Sequence, residues 1–210
     1  MAQITYRPGE ERGWIELLVN SLTFDLTGLV PAPPTSYPEP RRTFGLPEDV
    51  GVFEFEGISL LPGAHIAAGG AMLPIVRVMV GLVANLALNL PVKTVCWHPT
   101  GSWMDVRYFA RLVLGWLAGG AFPALGLCGV ERRFDGSFVS VGLGFFIGKE
   151  ILIEAAFGEA QTDTIKLAVR VIDHLITCGH LDQAQALRGP AGQPLLIEPM
   201  DRQLIVRRAV

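Results

Sequence analysis

Leu125–Ala156 reads LGLCGVERRFDGSFVSVGLGFFIGKEILIEAA, and this stretch decides the fold. Leu125–Arg133 and Ser137–Phe145 flank Asp135-Gly136. That dipeptide favours a tight hairpin turn, because both residues tolerate the left-handed backbone the turn requires. Gly148-Lys149 turns the chain again, and Glu150–Ala156 supplies a third strand. Consecutive strands joined by short turns pair antiparallel, since a parallel pair needs a long crossover.

On the C-terminal side, Thr162 or Asp163 is placed to cap a helix. Ile165, Ala168, Val169, Ile172, Leu175 and Ile176 form its apolar stripe, and Gly179 is its stop. Asp182–Pro194 reads as a polar loop, and Leu195–Ile197 with Gln203–Val206 as a last hairpin.

On the N-terminal side, Ser102 is expected to cap a helix, with Asp105 at its third position. Met104, Phe109, Val113, Leu114 and Leu117 would face inward, and Arg107 and Arg111 would share the outer face. The helix would end at Gly119-Gly120. Lys93–Trp97 does not alternate and predicts a central strand buried on two sides. Ala71–Leu90 predicts a largely buried helix, with Arg77, Asn85 and Asn89 on its polar side and Pro91 as its stop. Val52–Leu61, Leu22–Leu26 and Trp14–Val19 read as strands. Residues 31–50 are proline-rich and irregular. Pro31-Ala32-Pro33-Pro34 matches the minimal PxxP pattern, which a proline-stiffened loop also explains. The expectation is a single α+β domain over residues 1–210, a mixed, largely antiparallel sheet with about three helices packed on it.

Bulk properties narrow the function. Hydrophobic residues make up 50% of the 210, and charged residues only 18% against a usual figure of about 25%. That shortage of charge predicts extensive burial, including a subunit interface, so a homo-oligomer is an expected state. The net charge is −3 and the basic residues are scattered, which predicts no nucleic-acid surface. Cys96, Cys128 and Cys178 lie far apart in apolar segments without metal spacing, as buried thiols in a reducing compartment would. The first residues lack the basic-then-apolar order of a signal peptide. The uncharged runs Val78–Val92 and Leu112–Val130 are respectively too short and too interrupted by glycine and Pro123 to span a bilayer. A soluble, cytoplasmic protein with no membrane partner is expected.

Catalytic motifs are missing. Gly142, Gly144 and Gly148 give GxGxxxG rather than the dinucleotide fingerprint. They lie in strand-like sequence that is not expected to open a helix, so no cofactor is implied. His174 and His180 are six apart, outside the spacing of a metal pair on one helical face.

One constellation carries polar groups in apolar surroundings. Thr94–Trp103 is expected to run from a strand through a loop into a helix, with Trp97 and Trp103 as walls and Thr100 and Ser102 as ligand contacts. His98 sits at the strand end, and His65 and Glu150 are candidates to join it. A His–Glu pair suits general acid–base work, because imidazole titrates near neutrality and a carboxylate orients it. Two histidines and one glutamate also suit a metal, and the amides at the start of the helix suit an anion. Each residue has a structural reading as well: a hydrogen-bonded strand-end histidine, a helix cap, a turn carboxylate paired with Lys149. No metal site is assigned.

Pro62-Gly63-Ala64-His65, Trp97-His98-Pro99, Gly119–Pro123 and Gly142–Glu150 together resemble the pattern of an uncharacterised, mainly proteobacterial protein family of unknown function, over roughly residues 50–180. The resemblance implies a cytoplasmic α+β domain and transfers no catalytic residues. The leading expectation is a non-enzymatic protein that binds or self-associates. The alternative is a small-molecule or anion binder, or a hydrolase-like enzyme, using His98, Ser102, His65 and Glu150.

Overall fold

A computed structural model describes residues 2–47, 56–154, 159–201 and 203–209. The fold is α+β, with three mostly antiparallel sheets in place of the one expected. The chain divides into two compact units, Met1–Gly120 and Ala121–Val210.

In the first unit, β1 (Gln3–Tyr6), β2 (Trp14–Val19), β3 (Leu22–Thr27) and β5 (Ser59–Pro62) form an antiparallel sheet in the order β1-β2-β3-β5. Asn20 and Ser21 join β2 to β3 with φ of 49° and 64°. Positive φ at both turn positions matches the twist of the flanking strands and locks the register Val19↔Leu22 through Trp14↔Thr27. That register puts Leu17, Phe24 and Leu26 on the buried face. Of the expected strand over 52–61, residues 52–55 lie outside the described residues.

Helix α1 (Leu73–Asn89) begins with Pro74 in its first turn and ends before Pro91, which disfavours a helical conformation in the residue ahead of it. It packs on α2 (Val106–Leu117). Arg77 does not point to solvent: its guanidinium lies 4.7 Å from the centre of the Trp116 ring and donates to the Leu117 carbonyl. A second sheet has the order β4-β7-β6, with β4 (Arg42–Phe44), β6 (Thr94–Trp97) and β7 (Ser102–Asp105). This corrects three expectations. Thr94–Trp97 is an edge strand with alternating burial. Ser102 and Met104 belong to β7, not to a helix. Asp105 itself caps α2, accepting from the amides of Arg107 and Tyr108 at 2.9 Å. Leu114 is exposed rather than packed inward.

In the second unit, β8 (Gly129–Arg132), β9 (Phe138–Val141), β10 (Glu150–Ile153), β11 (Gln185–Arg188), β12 (Pro194–Met200) and β13 (Gln203–Arg208) form one sheet in the order β11-β12-β13-β10-β9-β8. Only β10 and β13 run parallel. The β8–β9 hairpin closes at the expected place, but through a three-residue loop, Phe134, Asp135 and Gly136, between Arg133 and Ser137, in which Gly136 alone holds a positive φ (86°) and Asp135 accepts from Ser137. Short α3 (Ala124–Leu127) takes the start of the expected first strand. Residues 142–147 are not strand either, since Gly142 turns the chain at φ 86° into short α4 (Leu143–Ile147). Helix α5 (Gln161–Cys178) buries Leu167, Ala168, Val171, Ile172, Leu175 and Ile176, roughly 1.5–3 kcal/mol for each large aliphatic side chain. Gly179 ends it at φ 81°. Ala160 precedes it without a side-chain cap, so neither Thr162 nor Asp163 has that role. The expected polar loop 182–194 contains β11. Among the described residues, no helix is long and apolar enough to cross a membrane.

Candidate functional site

The stretch Thr94–Trp103 folds as a hairpin, β6–turn–β7, with Trp97 opposite Ser102 and Cys96 opposite Trp103. The turn closes through the Thr100 amide on the Trp97 carbonyl and the Gly101 amide on the His98 carbonyl. Gly101 holds φ 62°, a conformation suited to glycine. Trp97, Thr100, Ser102 and Trp103 are buried. The Thr100 hydroxyl donates to the Ser102 hydroxyl at 2.7 Å and itself accepts from the Ser102 amide at 3.3 Å. The Trp103 indole N–H reaches the Pro38 carbonyl at 3.2 Å, and its ring meets Tyr37 edge-on. His98 is exposed. No helix begins after Gly101, so the amides expected to hold an anion there are β7 ladder groups. Burial pushes the Cys96 thiol up to about 11, with its Trp103 hydrogen bond opposing the shift, so it stays protonated at neutral pH.

His65 follows β5 and stands on the opposite side of the four-stranded sheet from the buried face. Its ring nitrogens lie 3.3 and 3.5 Å from the Thr23 hydroxyl. On the same side Glu16 pairs directly with Asp25. Counting back from the two-residue turn makes this a non-hydrogen-bonded pair, the type that brings side chains closest. Partial burial and the Glu16 carboxylate raise the pKa of Asp25, while His65 lowers it. Tyr6 and Trp14 meet beside this patch, with ring centres 5.5 Å apart. A shallow groove of about 180 Å³ near Trp14 and Val30 is smaller than the roughly 300–1,000 Å³ typical of small-molecule sites.

Glu150 belongs to the second unit, at the start of β10. Its Oε1 accepts from the amides of Gly142 and Gly144 at 2.9 Å each. Its Oε2 accepts from the Leu143 amide at 3.2 Å and from the Ser140 hydroxyl. Ser140 in turn accepts from the Ile151 amide at 2.8 Å. The glycine segment therefore does open a short helix, contrary to expectation, and the anion at its start is the protein's own carboxylate. Lys149 is not the partner that holds Glu150. Cys128 is buried nearby, and burial followed by the Glu150 charge pushes its thiol far up.

Two arrangements escaped the sequence reading. The Glu16–Asp25 pair needs the register, which follows from recognising Asn20-Ser21 as a two-residue turn. His174 and Cys178 stand one helical turn apart on α5, with Sγ 3.6 and 3.7 Å from the ring nitrogens. The i,i+4 spacing alone signals that pair. Among the described residues, no group of three or more His, Cys, Asp or Glu side chains is gathered as a metal centre requires. No protein-family model, curated protein or solved structure matches this chain.

Proposed function

We propose that this protein acts by binding rather than catalysis, and that it self-associates through the β1 edge of its four-stranded sheet. One observation carries the reading. Strand β1 lies at the end of the sheet order with all four residues exposed, and Ile4 and Tyr6 remain 58% and 53% accessible. An open strand edge bearing apolar side chains is a template for pairing with another strand, and a second copy supplies one of identical pattern. The ligand-contact candidate Ser102 and the catalytic candidate Glu150 support the same reading by having partners within the fold: Ser102 is buried against Thr100, and the Glu150 carboxylate accepts four hydrogen bonds. The three cysteines are free thiols, which supports a cytoplasmic protein. The resemblance of residues 50–180 to a bacterial family of unknown function assigns no chemistry.

Light scattering over a hundredfold range of concentration tests the proposal in chelator-treated buffer. The expected result is a dimer that Ile4→Lys converts to a monomer, because a charge placed on the edge blocks pairing. A wild-type monomer at every concentration overturns it.

A further inference from the structure

The geometry points to His174 and Cys178 as half of a tetrahedral site for a thiophilic divalent cation such as Zn²⁺, completed by the same two residues of a second copy. Both side chains leave the last turns of α5, one turn apart and therefore on one face. The sulfur lies 3.6 Å from Nε2 and 3.7 Å from Nδ1. Two ligands on a tetrahedral zinc, at about 2.3 Å for sulfur and about 2.0–2.1 Å for nitrogen, stand about 3.6 Å apart. The pair thus stands at the spacing that one ion imposes, and a rotation of the imidazole, which faces the sulfur with both nitrogens equally, aims one lone pair at a shared ion. Cys178 is exposed, whereas Cys128 is buried.

The neighbouring acidic groups have other partners. Asp173 accepts from the Phe122 amide and faces Arg170, and Asp182 pairs with His180. Among the described residues no third ligand stands with the pair. One chain therefore offers two ligands of four, and a two-fold arrangement gives Cys₂His₂. Each thiol loses its proton to solvent on binding. This contact depends on metal and is separate from the β1 edge.

Titration of the reduced full-length chain with Co²⁺, followed by absorption and light scattering, tests the inference. The expected result is a thiolate-to-cobalt charge-transfer band that saturates at one ion per two chains. The mass of the Ile4→Lys chain, whose β1 edge is blocked, doubles at the same ratio, and Zn²⁺ displaces the cobalt. Cys178→Ser abolishes the band and the doubling, and His174→Ala abolishes the doubling. Absence of the band, its persistence in Cys178→Ser, or saturation at one ion per chain without a change in mass overturns the site. A dimer that persists in chelator and in Cys178→Ser, with no cobalt band, rejects this site and leaves the β1 reading standing. A monomer in chelator that doubles only with metal rejects the β1 reading and supports this one.

Discussion

Replacing Glu150 by alanine removes the acceptor of four hydrogen bonds at once. The donors are the amides of Gly142, Leu143 and Gly144 and the Ser140 hydroxyl. The Gly142 and Leu143 amides are buried, while Gly144 is partly open to water. A buried donor left without a partner costs roughly 1–3 kcal/mol, so the two buried amides set an expected loss of about 3–4 kcal/mol. Glu150→Gln keeps the shape and one acceptor oxygen, but it gives up the charge and turns an NH₂ group toward a donor. Its expected cost is about 1–2 kcal/mol. Both figures are large against the roughly 5–15 kcal/mol that holds a domain folded. Trp14, Trp97, Trp103 and Trp116 all lie in residues 1–120, so urea unfolding is followed by far-ultraviolet circular dichroism rather than by tryptophan emission. Hydrogen exchange at 142–144 gives the local readout, and protection there is expected to collapse in Glu150→Ala. If that variant unfolds within about 0.5 kcal/mol of wild type with protection intact, the carboxylate does not hold α4 in place. The structural account of Glu150 is then refuted, and the residue returns to the pool of groups available for chemistry.

Three further outcomes are expected. Asp25→Asn removes the like charge facing Glu16 and stabilises the protein by about 0.2–1 kcal/mol at pH 7. Because folding raises the Asp25 pKa, the wild type loses stability as pH rises from the ordinary carboxyl value through the raised one; pH-dependent melts of the two proteins are expected to converge in acid and separate above that window. Asp105→Ala strips the cap from α2 and costs about 0.5–2 kcal/mol in denaturant titration. In iodoacetamide labelling read by peptide mass, exposed Cys178 reacts first. Cys96, with its thiol near 11, is ionised to only about one part in a thousand at pH 8, and buried Cys128 reacts only on unfolding.

The elements legible in the sequence are those whose signal is local. Asp135-Gly136 and Gly179 each mark a chain reversal or stop by their own backbone preference, and the α5 stripe shows its period, although the buried face is turned to include Leu167 and Val171 and leaves Ile165 and Val169 half-buried. Ser102 reads as a helix start for the complementary reason. Its hydroxyl suits a helix cap, but a capping carboxylate three residues later competes for the same role. Pairing of Ser102–Asp105 with β4 and β6 extends the strand up to Asp105, so the helix begins at Val106. Glycine at 142 reads as strand by its neighbours. It turns instead at φ 86°, and Glu150, eight residues on, accepts from three successive amides there, a contact that the apolar pattern of the segment does not declare.

The same distinction separates the candidate residues. Sequence favours polar groups that stand out from apolar surroundings, and in this protein several of them stand out because they satisfy the backbone. The Thr100 hydroxyl accepts from the Ser102 amide, Asp105 caps a helix and Glu150 anchors one. A buried polar side chain that accepts from two or more amides reduces the cost of burying those amides, so its presence in an apolar segment is explained without a ligand. What remains is polar chemistry that serves no amide: Asp25 held opposite Glu16 beside His65, and Cys178 against His174. The first pair sets like charges side by side at a cost in stability, so the fold does not account for it. That unexplained remainder, rather than the Trp97–Ser102 hairpin, is where a search for ligands of this protein has most to gain.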